Sequence, residues 1–178
     1  MKKLNLFLLA MATIIFCSIV SCKKYENGPS ISLRSAESRV SGDWSVTFWS
    51  DNNEDCIHGS QTDFYTCTDG YDVYYTYTWD YTNLSYTFNK NGQFTYSRTY
   101  TDRSASDHTS CNVEYVNGGG TENGSGSWEL QSKNTKLQMQ YNGDNIISTY
   151  DIKELRESEM MLEGNYGGSI IKMTFEKK

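Results

Sequence analysis

From Gly42 to the C-terminus, apolar and polar residues alternate with a period of two, and no stretch of useful length shows a period of 3.6. Trp44, Val46 and Phe48 share one face of the first run, with Ser45 and Thr47 on the other. Val73, Tyr75, Tyr77 and Trp79 alternate with Thr76 and Thr78, and Leu84, Tyr86 and Phe88 with Ser85 and Thr87. Phe94, Tyr96 and Tyr100 follow, opposed by Gln93, Thr95 and Thr99. Near the end, Ile171, Met173 and Phe175 alternate with Lys172, Thr174 and Glu176. This is the pattern of strands with one buried and one wetted face. Fourteen tyrosines against a single proline point the same way, because aromatic residues suit a pleated, half-buried surface.

Turns separate these runs. Asn89-Lys90-Asn91-Gly92 and Asn142-Gly143-Asp144-Asn145 supply residues that tolerate positive φ, so both predict tight hairpins. Further strands are expected around Ser127–Leu130, Lys136–Tyr141, Ile146–Leu155, Glu159–Glu163 and Ser169–Glu176. Between Thr101 and Gly126 the chain is polar and glycine-rich, which predicts a long loop excursion with at most a short strand at Val113, Tyr115 and Val116. About eight or nine hairpin-linked strands predict an all-β domain. The expected form is a single antiparallel up-and-down β-barrel of about eight strands, with a β-sandwich as the alternative. Closing the sheet removes its exposed edges. An eight-stranded barrel has room for side chains or for one small ligand.

The first residues read as an address. Lys2 and Lys3 precede an apolar run, Leu4 to Val20, that is short for a membrane span. Ile19-Val20-Ser21-Cys22 resembles the lipobox of bacterial lipoproteins, in which the cysteine is acylated (palmitate is one such acyl group) and becomes the first mature residue. The expected divisions are a signal peptide over 1–21, a lipidated Cys22 with a flexible tether over 22–41, and a barrel domain over 42–178. Cleavage removes Lys2 and Lys3 and so makes the formal charge of −6 two units more negative. An acidic chain is a poor match for nucleic acid, whose phosphates need a basic face. The implied location is the cell envelope, at the outer membrane.

Gly42-Asp43-Trp44 opens the domain as G-x-W, Asn91-Gly92-Gln93-Phe94 and Gly126-Ser127-Trp128-Glu129-Leu130 lie in its middle, and Ile171-Lys172-Met173-Thr174-Phe175 closes it. Together these resemble the lipocalin-like domain of small lipoproteins common in the Bacteroidota. The resemblance implies that Trp44 plugs the closed end of a barrel and that a late basic residue packs over it. No arginine stands near the last strand, so Lys172, Lys177 and Lys178 are the available cations.

Three cysteines follow Cys22: Cys56, Cys67 and Cys111. An exported protein sits where disulfides form, so one bridge is expected. Cys56–Cys67 is favoured, with Cys67–Cys111 and Cys56–Cys111 as alternatives. Cys56, His58, Cys67, His108 and Cys111 together could supply zinc ligands, but their spacing matches no known finger. Asp51 to Asp55 begins like a calcium loop and then fails, with Cys56 at the glycine position and Thr62 at the glutamate position. No nucleophile elbow or phosphate loop is present, so neither an enzyme nor a cofactor is expected. The tyrosines concentrate on the early strands. Tyr71 and Tyr74 are expected around a mouth, and Tyr75, Tyr77, Tyr86, Tyr96 and Tyr141 are the candidate ligand contacts. Tyrosine offers rigid contact area with a polar tip, although it is also simply a good strand former. The expected function is to bind a small, mainly apolar ligand. The alternatives are an envelope protein met through the loops, or a carbohydrate met by an aromatic face.

Overall fold

The alternating runs form ten antiparallel strands in a computed structural model that describes residues 25–26, 34–66, 70, 72–105 and 115–178. They are β1 (Gly42–Asp51), β2 (Glu54–Asp55), β3 (His58–Thr66), β4 (Asp72–Phe88), β5 (Gln93–Ala105), β6 (Tyr115–Gln131), β7 (Lys136–Tyr141), β8 (Ile147–Leu155), β9 (Glu159–Tyr166) and β10 (Ser169–Lys177). Strands β4 to β10 neighbour one another in chain order, and β1 pairs with β10 on one side and β4 on the other. Trp44 stands opposite both Lys177 and Tyr86. That double pairing closes eight strands into an up-and-down barrel and excludes the sandwich.

Strands β2 and β3 lie outside the ring. β3 pairs along the first half of β4, from His58 opposite Asp80 to Thr66 opposite Asp72. β4 and β6 each have 17 residues, about 55 Å of extended chain and far more than the barrel wall needs. Their surplus, with the end of β5, continues past the rim as a blade of order β3-β4-β5-β6.

The blade corrects one expectation. Thr101–Gly126 is not a loop excursion: its two ends are strand, with Thr101 opposite Gly119 and Arg103 opposite Asn117. Glycine lowers strand propensity, but a long cross-strand ladder overrides it. The segment between Cys56 and Cys67 is likewise mostly β3.

At the other end the barrel is sealed. A short helix, α1 (Ala36–Val40), is capped by Ser35, whose hydroxyl accepts from the Ser38 N–H. Ala36 and Val40 are buried against the core. The Trp44 indole is fully buried and donates from Nε1 to the Val40 carbonyl at 2.7 Å. Lys177 Nζ lies 4.9 Å from the Trp44 ring centroid and donates to the carbonyls of Arg39 and Ser41. Burial and the nearby Arg34 lower the Lys177 pKa. Gly42 makes this approach possible. Its φ is +131°, and a Cβ there would lie 2.7 Å from Lys177 Cε.

The tether expected over 22–41 therefore does not extend to residue 41. Residues 36–40 are helix, and Tyr25 is buried, its hydroxyl donating to the Asn134 carbonyl. Arg39 stacks over the Tyr25 ring and donates to the Leu155 carbonyl. Cys22 and the signal segment 1–21 lie outside the described residues.

One face assignment in β1 also changes. Phe48 is 44% exposed, while Trp49 packs against the core. The register shifts between Val46 and Phe48, so the inward series runs Trp44, Val46, Trp49. A bulge of this kind adds one residue and reverses the faces beyond it. Above the plug, Phe88, Phe94, Trp128 and Phe175 form an aromatic floor, with Phe88 meeting Trp128 edge-on at 5.8 Å.

Replacing Trp44 by alanine removes the plug and its hydrogen bond. Trp44→Ala is expected to cost about 3–5 kcal/mol of stability in equilibrium denaturation. A loss under about 1 kcal/mol would contradict its burial.

Candidate functional site: a tyrosine-lined cavity

Above the aromatic floor the barrel is not filled. A cavity of about 590 Å³ opens at the end opposite Trp44. Period-two alternation builds its walls. Leu84 and Tyr86 come from β4, Tyr96 and Arg98 from β5, Tyr141 from β7, Tyr150 from β8, and Ile171 and Met173 from β10. Trp49, turned inward by the bulge, adds the β1 side. The β7–β8 turn supplies Asn142, Gly143 and Asp144 to the rim, and Tyr166 reaches in from β9.

Strand β6 contributes almost no side chain here, and that absence shapes the wall. A Cβ on Gly124 would lie 2.4 Å from the Tyr96 ring, and one on Gly126 would lie 2.5 Å from the Phe94 ring. Both rings lie across bare β6 backbone. Tyr96 then meets Tyr141 edge-on at 5.5 Å and tilts against Tyr86 at 5.8 Å. Edge-on and tilted contacts suit the charge distribution of aromatic rings and hold them rigidly.

The cavity's polar groups include two interacting pairs. Inside it, the Tyr86 and Tyr141 hydroxyls are 2.9 Å apart. They share one hydrogen bond, which leaves one of the two O–H hydrogens to donate to a guest. Burial pushes the Tyr86 phenol up to about 12. Burial and the neighbouring Tyr86 raise Tyr141 further, and burial raises Tyr150. These phenols are therefore neutral donors and acceptors at physiological pH, not bases. Higher up, Arg98 pairs with Glu122, its opposite residue on β6. Burial works against the Arg98 charge, but the hydrogen bond and charge of Glu122 prevail and leave its pKa raised. The site thus offers an aromatic and aliphatic wall, one internal hydroxyl pair and a paired charge at the rim.

Of the tyrosines read from the sequence as ligand contacts, Tyr86, Tyr96 and Tyr141 stand together in this cavity. Tyr77 and Tyr75 belong to the blade part of β4, opposite Gln61 and Asp63 of β3, and Tyr77 does not line the cavity. Tyr74 is 67% exposed on the blade rather than at the mouth. Tyr71, Cys67, His108 and Cys111 lie outside the described residues. Cys56 is half-buried, its thiol near the Glu54 carbonyl at 3.6 Å, and burial raises its pKa. His58 lies on β3, where Nδ1 is 2.7 Å from Asp80 Oδ1.

Sequence reading missed Trp49, Arg98, Tyr150 and Tyr166. Arg98 was within reach, because it continues the Phe94, Tyr96 alternation by one step. Trp49 was not, because the bulge before it leaves no sequence mark.

No family model and no curated protein matches the chain. Among solved structures it is similar to japanin from Rhipicephalus appendiculatus bound to cholesterol, at 11% identity and a TM-score of 0.38, covering 81% of this chain and 79% of that one.

The tyrosine pair sets a pH limit. A folded-state pKa above the unfolded value favours the neutral phenol in the fold. Its stabilisation is complete below pH 10.0 and is lost as the pH rises towards about 12. In a tyrosinate absorbance titration, Tyr86 and Tyr141 are expected to ionise last, together with loss of the barrel's near-ultraviolet circular dichroism. Ionisation of every tyrosine near pH 10 with the fold intact would place the pair in water.

Proposed function

We propose that this chain is a membrane-anchored envelope lipoprotein of the outer membrane, related in type to the lipocalin-like lipoproteins it resembles. Its barrel carries one small, mainly apolar molecule. The observation that carries this reading is the cavity of about 590 Å³ in a barrel whose other end is sealed. That volume is typical of small-molecule sites, as is a largely apolar lining with a few placed polar groups. The rigid tyrosine walls suit a flat, ring-containing or branched body, and the Tyr86–Tyr141 pair suits one hydrogen-bond acceptor carried deep inside. The tyrosines are enclosed instead of being displayed on an open platform, which favours such a guest over a glycan chain. Lys2, Lys3, the apolar run and Ile19–Cys22 support the anchor.

A second reading has its own observation. Tyr74, Tyr115 and Val116 are exposed on the blade, which extends past the rim. Exposed large side chains on a projecting sheet suit contact with an envelope protein.

Native mass spectrometry of the gently extracted protein tests the cargo. The expected result is a bound species of a few hundred daltons, of the order that such a cavity encloses, released on denaturation. Its retention in Tyr86→Phe/Tyr141→Phe, with a hydrocarbon probe bound equally by both proteins, would show that the hydroxyl pair is not used. Absence of any bound species, together with failure to take up hydrophobic fluorescent probes, would remove the carrier reading. For the anchor, Cys22→Ser is expected to abolish incorporation of an alkyne-tagged fatty acid in cells, and retained labelling would refute it.

A further inference from the structure

The aromatic wall does not stop at the cavity rim. Leu84 and Tyr86 of β4 face the cavity, so strict alternation would bring Thr82, Asp80 and Thr78 to that side of the blade. The register of β4 against β5 shifts between Tyr81 and Asn83. The extra residue turns Tyr81 and Trp79 to the cavity side instead. Trp49, which lines the cavity, lies 6.0 Å from the Tyr81 ring, and Tyr81 lies 5.8 Å from Tyr100 across the ladder. One row further out, Trp79 stands between Gly59 of β3 and Asp102 of β5. Aromatic side chains thus continue from the cavity up the inner face of the blade.

Trp79 and Asp102 differ from the residues below them. A Cβ on Gly59 would lie 2.1 Å from the Trp79 ring, so the indole lies across bare β3 backbone. The side chain is half-buried, and the ring face turned away from β3 is the one left open. Beside it, the Asp102 carboxylate lies over Gly118, and its Oδ1 is buried with no hydrogen-bond partner among the described residues. A carboxylate oxygen out of water is costly until a donor reaches the group. The opposite face of the blade has no such group, because its hydroxyls bond one another, Thr62 with Thr76 and Thr99 with Thr121, both at 3.0 Å.

We propose that Trp79 and Asp102 form a head-group subsite for a glycosylated guest, with one pyranose ring on the blade and the apolar body in the cavity. This rests on the carrier reading of the proposed function. A pyranose ring presents C–H bonds on one side, and their partly positive hydrogens suit the negative face of an indole. Its hydroxyls donate to a carboxylate, which can accept from two neighbouring hydroxyls at once. Charge on this face selects against a phosphate head. Arg98 is its one cation among the described residues and is already paired with Glu122, so an anion would meet Asp102 unopposed. The spacing suits an amphiphile. Asp102 is four residues beyond Arg98 of the cavity rim, about 13 Å along β5, so one molecule of modest length spans both.

Calorimetric titration of the purified full-length protein in phospholipid nanodiscs, with empty nanodiscs as the blank, tests this. The probes are n-octyl β-D-glucopyranoside and tetraethylene glycol monooctyl ether, each well below its micelle concentration. Both carry the same alkyl body, and the first alone has a sugar ring. The native protein is expected to bind the glucoside several-fold more tightly than the ether. Asp102→Ala is expected to abolish that preference, with the ether's affinity and the near-ultraviolet circular dichroism unchanged. Trp79→Phe, which keeps a ring over Gly59, is expected to weaken the glucoside alone. Equal affinity of the native protein for the two probes overturns the subsite and leaves the carrier reading in place. So does a preference that survives both substitutions, or an equal loss of both probes in Asp102→Ala. Failure of the native protein to bind either probe overturns the carrier reading and the subsite together.

Discussion

The structure depends on β1 bonding to two strands at once. A sheet of this length, left open, would present two long unsatisfied edges to water and to other chains. β1 removes most of that exposure by pairing with β10 along nearly its whole length and with β4 at its first residues. The seam needs an anchor, and the G-x-W segment provides one. Gly42 lets the backbone turn tightly under Lys177, Trp44 fills the space between the two neighbouring strands, and α1 covers the indole. Loss of any one leaves the others partly solvated. Residues 25 and 36–40, which have no strand periodicity, are held because they complete this seal.

The sealed end makes the open end available. With Phe88, Phe94, Trp128 and Phe175 packed above the plug, stability does not require the upper barrel to be filled. The tyrosines there can be arranged for contact with a guest. Their hydroxyls keep the cavity from being a plain hydrocarbon void, and the Arg98–Glu122 pair places charge at the entrance without leaving it uncompensated.

Much of the barrel was legible because period two is a strong signal when one face is buried. Leu84, Tyr86 and Phe88, and Ile171, Met173 and Phe175, fall inward as their alternation requires. Three features were not legible. The bulge before Phe48 depends on how β1 meets β10, which is non-local. The blade strands were hidden because residues such as Gly118, Gly119 and Gly120 read as loop, yet they are paired across a ladder whose other half is ordinary strand sequence. α1 is five residues long, too short for any helical period to show. For the site, Tyr86, Tyr96 and Tyr141 were reachable from composition and alternation. Separating them from Tyr75 and Tyr77 required knowing where β4 leaves the barrel, and residue type does not encode that.

The seam between β1 and β4 is laddered over only four residue pairs, from Gly42 opposite Phe88 to Ser45 opposite Ser85. Beyond them the strands part, and the segment that follows β2 fills the gap, with the Tyr81 N–H bonded to the Ile57 carbonyl and Trp49 set against the Tyr81 ring at 6.0 Å. A barrel laddered all round has its girth set by strand number and stagger. This one has a gusset. Its closure at the mouth rests on a few hydrogen bonds, each worth about 1 kcal/mol net, while the other seven seams are laddered strand to strand. One flank of the wall is thus sewn more loosely than the rest.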